Sequence, residues 1–120
     1  MEQKQNINYD NRKFVSIANT ENGEVSDKTK FHYHQENDII WAEYSGGNIV
    51  KGFLIGKVDK KSMLEFGYQH INNNFEIRIG ICSSSPEWLN DGRLRLIESW
   101  QWLNGDKSKG SSIIEEVINK

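Results

Sequence analysis

Disulfides, prolines and long apolar runs are what this chain most conspicuously lacks. Its 120 residues include one cysteine and one proline. Cys82 alone forms no internal disulfide and has no CxxC partner, which excludes a stapled scaffold and the usual zinc and redox motifs. One proline argues against a linker-rich or low-complexity architecture. No stretch approaches the roughly 20 apolar residues of a membrane helix, and the polar start, Met1 to Asn6, lacks the core of a signal peptide. A cytoplasmic protein with no membrane partner is therefore expected. An excess of one charge is missing too: 15 basic and 17 acidic residues, net −2, are spread along the sequence. Without a basic stripe to neutralise phosphates, nucleic acid is not an expected partner.

What is present points to a folded core. Apolar residues make up 36%, with four Trp, four Tyr and five Phe as bulky anchors. The length suits one domain, residues 1–120, with 1–10 expected to be a flexible N-terminal segment. Short segments separated by Gly, Asn, Asp and Ser clusters recur along it. They predict strands at Lys13–Ala18, Thr29–Gln35, Ile39–Ser45, Asn48–Val58, Met63–Ile71, Phe75–Ser83 and Arg93–Leu103. Connectors such as Gly46-Gly47-Asn48 and Asn72-Asn73-Asn74 are short and tolerate positive φ, so neighbouring strands must pair antiparallel. The final segment, Ser111–Ile118, has apolar residues at helical spacing yet the right length for an eighth strand that closes the sheet. Topology favours the strand. The expected fold is all-β, an antiparallel up-and-down meander barrel of about eight strands, calycin- or lipocalin-like.

Alternation then assigns faces. On Arg93–Leu103 one face carries Leu94, Leu96, Glu98, Trp100 and Trp102, and this face is expected inside. A carboxylate there is costly to bury unless paired or hydrated. Val50, Gly52, Leu54, Gly56 and Val58 alternate small and large as an interior requires, with Lys51 and Lys57 opposite. Phe75, Ile77, Ile79 and Ile81 are taken as core against Glu76, Arg78, Gly80 and Cys82.

Several residues could carry chemistry. Glu98 between the tryptophans reads as an acid or base with a raised pKa, as a ligand anchor, or as a structural bridge to Arg78 or Arg12. Tyr44 and Tyr68 are expected to join Glu98, Trp100 and Trp102 at the barrel mouth. His32 and His34 share a strand face as a metal pair would, with His70 as a third nitrogen. However, Phe31 and Tyr33 look like the packed side, and no metal or other cofactor is expected. Cys82 lacks an activating neighbour and reads as a small apolar residue. Gly105 to Ser112 nearly matches a phosphate-binding loop, but Ser111 stands where its lysine belongs, so a polar hairpin loop is the reading, with some capacity to attract an anion.

Ala42 to Gly47 through Lys51-Gly52, Gly80-Ile81-Cys82, and Trp100-Gln101-Trp102 with Gly105-Asp106 and Ser112 to Glu116 together resemble a family of small bacterial proteins that often carry the label N-acetylglutamate synthase. The likeness runs from about Asn8 to Val117 and implies a calycin-like barrel, a fold class that holds small ligands. It does not extend to the activity in the label. An acetyltransferase of the common fold needs a Gly-rich pyrophosphate loop between a strand and a helix, and neither is present. Three functions remain open: a binding module for a small amphipathic ligand at the barrel mouth, an enzyme using Glu98 as general acid or base, and an interaction protein without a small-molecule site. Either a monomer or a homodimer fits these readings.

Overall fold

A computed structural model describes residues 7–118. Eight strands follow one another: β1 (Lys13–Asn19), β2 (Lys30–Glu36), β3 (Ile39–Gly46), β4 (Ile49–Val58), β5 (Leu64–Asn72), β6 (Ile77–Trp88), β7 (Leu94–Trp102) and β8 (Lys109–Glu116). Each pairs antiparallel with its chain neighbour, and β1 pairs with β8 to close the barrel. Closure removes both sheet edges, which would otherwise expose unpaired backbone groups. The described residues contain no helix. The final segment is thus a strand, running from Lys109, with Ile114 fully buried and Ile113 on the opposite face.

Packing inside the barrel depends on large residues lying over small ones. Four aromatic rings each face a glycine directly across a strand pair: Tyr44 and Gly52, Phe66 and Gly56, Tyr68 and Gly80, Trp100 and Gly110. A Cβ on Gly52, Gly80 or Gly110 would run into the opposing ring, and one on Gly56 into the Glu65 carbonyl and the base of the Phe66 side chain. A narrow eight-stranded barrel can hold so many aromatics only on such terms.

The two ends differ. Below the start of β1, Ile7 and Tyr9 are buried, and Tyr9 is wholly inaccessible. The Tyr9 hydroxyl donates to the Ser62 carbonyl at 2.6 Å, and the Ile7 amide donates to Ser62 Oγ at 2.9 Å. Within the stretch 1–10, Ile7 and Tyr9 are thus packed against the β4–β5 connection. Two apolar side chains and their backbone bonds form the barrel floor, and residues 1–6 lie outside the described region. Leu94, Leu96, Leu64, Ile40, Phe14 and Tyr33 fill the layers above it.

Two face assignments need correction. On β6 the isoleucines point outward, with Ile77 57% and Ile81 49% exposed, while Arg78, Gly80, Cys82 and Ser84 line the interior. Gly80 must face in because Tyr68 lies over it. Phe75 falls in the preceding turn with φ of 61° and is exposed. On β4 a bulge between Ile49 and Lys51 turns Ile49 inward and Val50 outward, whereas Gly52 and Leu54 face the interior as expected.

Candidate functional site

The upper half of the barrel, where β3, β5 and β7 end, holds the polar chemistry. Trp100 and Trp102 stand edge to face with centroids 5.5 Å apart, and Trp102 also meets Tyr68 and His70 at 5.7 and 5.9 Å. Together with Tyr44 these rings line an internal cavity of about 50 Å³ that reaches Glu98, Cys82 and Ser112 at its base. The structure therefore brings Glu98, Trp100, Trp102, Tyr44 and Tyr68 around one space, with Glu98 at its base.

Glu98 is 8% exposed. Its register neighbours are Ser84 on β6 and Ser112 on β8, so three inward polar residues form one row across adjacent strands. Ser112 Oγ donates to Glu98 Oε1 at 2.9 Å. Desolvation raises the carboxyl to a pKa of about 7, and the Ser112 bond offsets only part of that. Burial, and to a lesser degree the Glu98 charge, disfavours ionisation of Tyr33, Tyr44, Tyr68 and Cys82. The bridge from Glu98 to Arg78 or Arg12 does not form. Arg12, at the floor end, binds Glu116 at 2.9 Å, and Arg78, at the mouth, binds Glu24 at 2.7 Å. Burial also holds the Cys82 thiol firmly protonated, which removes it as a nucleophile. Tyr33 Oη and Ser84 Oγ are buried without a hydrogen-bond partner in the protein.

Above the cavity the chain between β1 and β2 crosses the mouth. Glu24 is its anchor, accepting from His70 Nε2 at 2.8 Å, from Arg78 Nη1 at 2.7 Å and from Asn72 Nδ2 at 3.2 Å. Arg78 lies over the Trp102 ring at 3.9 Å, a cation–π contact that holds the guanidinium against the mouth. With Nε2–H given to Glu24, His70 Nδ1 accepts from the Tyr44 hydroxyl at 3.0 Å. Desolvation lowers the His70 pKa, opposed by its bond to Glu24, so the neutral ring is the one this row uses. Trp102 Nε1 donates to the Asn22 carbonyl, and Asn22 Nδ2 reaches Ser108 and Lys109 in the β7–β8 hairpin. Glu24 has no signal in the sequence beyond its charge. Arg78 and His70 become visible as inward residues once β6 and β5 are given the correct faces.

His70 consequently cannot serve as the third nitrogen beside His32 and His34, because it lies inside the barrel and they lie outside on β2. The hairpin loop reading holds only as far as Ser108, since Lys109 onward is strand and Ser112 points inward to Glu98.

The closed eight-stranded meander is a calycin-like barrel. Comparison with curated proteins and with solved structures gives no match. The sequence profile of one family, described as avidin-like protein, matches residues 7–117, nearly the whole barrel from its floor to the end of β8. The chain belongs to the avidin-like protein family.

Proposed function

We propose that this protein binds a small amphipathic molecule inside the upper barrel, with its polar head on Glu98 and its apolar body between Trp100, Trp102, Tyr44 and Tyr68. The observation that carries this is Glu98: a buried carboxylate with one neutral partner, set in the wall of a cavity otherwise made of rings. Concave, mostly apolar sites with a few convergent polar groups are where small ligands bind. Family membership supports the same reading, since avidin-like barrels bind small ligands.

The chemistry of the base selects the head group. Glu98 accepts hydrogen bonds when ionised, and the Ser112 hydroxyl beside it can donate or accept. A group with N–H donors beside a carbonyl, such as an amide or cyclic urea, matches that mixture, and a primary amine matches the carboxylate alone. The cavity of about 50 Å³ takes such a head but not a whole ligand of the usual size, which needs about 300 Å³ or more. The body of the ligand therefore takes space now filled by Glu24 and Val25, and binding displaces that segment.

Isothermal titration calorimetry with cyclic ureas, amides and amines on apolar tails, biotin included, tests the reading. One-to-one binding that Glu98→Ala weakens about tenfold or more is expected, the order of a lost charged hydrogen bond. A ligand that binds the Ala variant equally well, or that sits outside the barrel in a co-crystal, would overturn it.

A second reading concerns assembly, favoured by the outer wall. Phe53, Ile55, Ile79 and Ile81 form an exposed apolar face across β4, β5 and β6, and the Gly67 position leaves a notch at its centre. Large contiguous apolar patches mark interaction sites. A second copy of the chain, meeting this face with its own, completes a homodimer.

A further inference from the structure

We propose that His32, His34 and Glu43 form a binding site for a divalent transition metal of the zinc class on the outer wall of the barrel, separate from the internal cavity.

The three side chains converge for structural reasons. His32 and His34 are two apart on β2, so both rings leave the same face, and their centroids are 4.5 Å apart. Glu43 is the register partner of His32 on β3 and emerges on that face between them. One ligand atom from each residue lies within 4.8 Å of both others. His34 Nε2 and Glu43 Oε1 are 2.8 Å apart, with the side chains 26% and 49% exposed, so solvent ions have access. Donors bound tetrahedrally at zinc distances stand roughly 3.3 Å apart. Opening the His34–Glu43 pair by about half an ångström, and drawing in His32, whose ligand atom lies within 4.8 Å of theirs, admits an ion in place of the proton that His34 and Glu43 share.

The surroundings fit the same chemistry. His32 Nε2–H donates to Asn11 Oδ1 at 2.7 Å, which leaves the Nδ1 lone pair free and fixes the ring. Such an outer hydrogen bond is the usual companion of a metal-bound imidazole. On its other side His34 stacks on Trp41 at 5.5 Å, which restricts its rotation. Two imidazoles and one carboxylate suit zinc and its neighbours rather than calcium or magnesium, and the positions left open go to water or to a donor from another molecule. Among the described residues no other cluster offers three such donors to an ion. Of three histidines, His70 is buried with both nitrogens engaged, and the thiol of Cys82 is buried as well.

Titrating tag-free, chelator-stripped full-length protein with Zn2+ by calorimetry is the test. One ion per chain is expected, with affinity reduced about tenfold or more by His34→Asn, His32→Asn and Glu43→Gln individually. These exposed substitutions leave the thermal melt of the metal-free protein in place, which separates loss of ligand from loss of fold. Cu2+ adds a positional readout: it quenches tryptophan fluorescence through Trp41, and Trp41→Phe removes that quenching while one-to-one Zn2+ binding persists. Absence of saturable Zn2+ binding, binding unchanged in the His34 variant, or quenching that survives in the Trp41 variant would each overturn the site.

Discussion

Glu98 couples the stability of this barrel to pH. Its carboxyl titrates near 7 in the folded chain against about 4.5 when unfolded, because burial penalises the charged form. Between those values the folded state holds a proton that the unfolded state has released, so stability is full below pH 4.5 and declines as pH rises through 7. The size of the effect is about 3 kcal/mol. His70, whose pKa is lowered, acts in the opposite sense: it favours the fold when neutral and loses that contribution as pH falls. Comparing the wild type with Glu98→Gln isolates the carboxyl, since His70 is common to both. In urea denaturation at pH 5 and pH 8, the wild type should lose stability at the higher pH, and the Gln variant should lose markedly less. Equal pH dependence in the two proteins would mean that Glu98 is ionised and well solvated in the fold.

Among the elements, β7 and β8 show how tightly the interior is matched. Gly110 on β8 faces Trp100 on β7, and a methyl group there would press on the indole and on Thr20 Oγ1. Gly110→Ala should therefore cost about 1–3 kcal/mol, read as a lower denaturation midpoint at unchanged slope. A neutral outcome would show that Trp100 has room to turn away.

The strands themselves were legible in the sequence, because turn residues and period-two alternation are local signals. The β7 face was legible as well, since Leu94, Leu96, Trp100 and Trp102 on one side leave no ambiguity. The β6 face was not. Alternation there separates Ile77, Ile79 and Ile81 from Arg78, Gly80 and Cys82, but hydrophobicity alone ranks the isoleucines as core. The deciding facts are non-local: Tyr68 on β5 needs Gly80 beneath it, and Arg78 needs Glu24 and Trp102. Nor could spacing alone find Glu43 beside His34, because only the β2–β3 register brings them together.

For the molecule as a whole, the inverted β6 face becomes informative. A barrel whose interior accepts Arg78 and Ser84 while isoleucines face solvent has placed part of its apolar surface where another molecule can cover it. Sedimentation or light scattering should find a dimer that Ile81→Lys or Ile55→Lys disperses to monomer without lowering the thermal midpoint. A wild type that stays monomeric at every concentration would refute self-association through this face.

Tyr9 and Ile7 also set a constraint on kinetics. With the floor closed by buried side chains and their hydrogen bonds to Ser62, a ligand bound as proposed would enter and leave past Glu24. That segment is held by charge-assisted bonds to Arg78 and His70, so capture would wait for its detachment, whereas the bound ligand already holds it aside. Association would then be slow for so small a molecule. Weakening the Glu24 anchor would therefore speed association and tighten the equilibrium affinity to a similar degree, with release little changed.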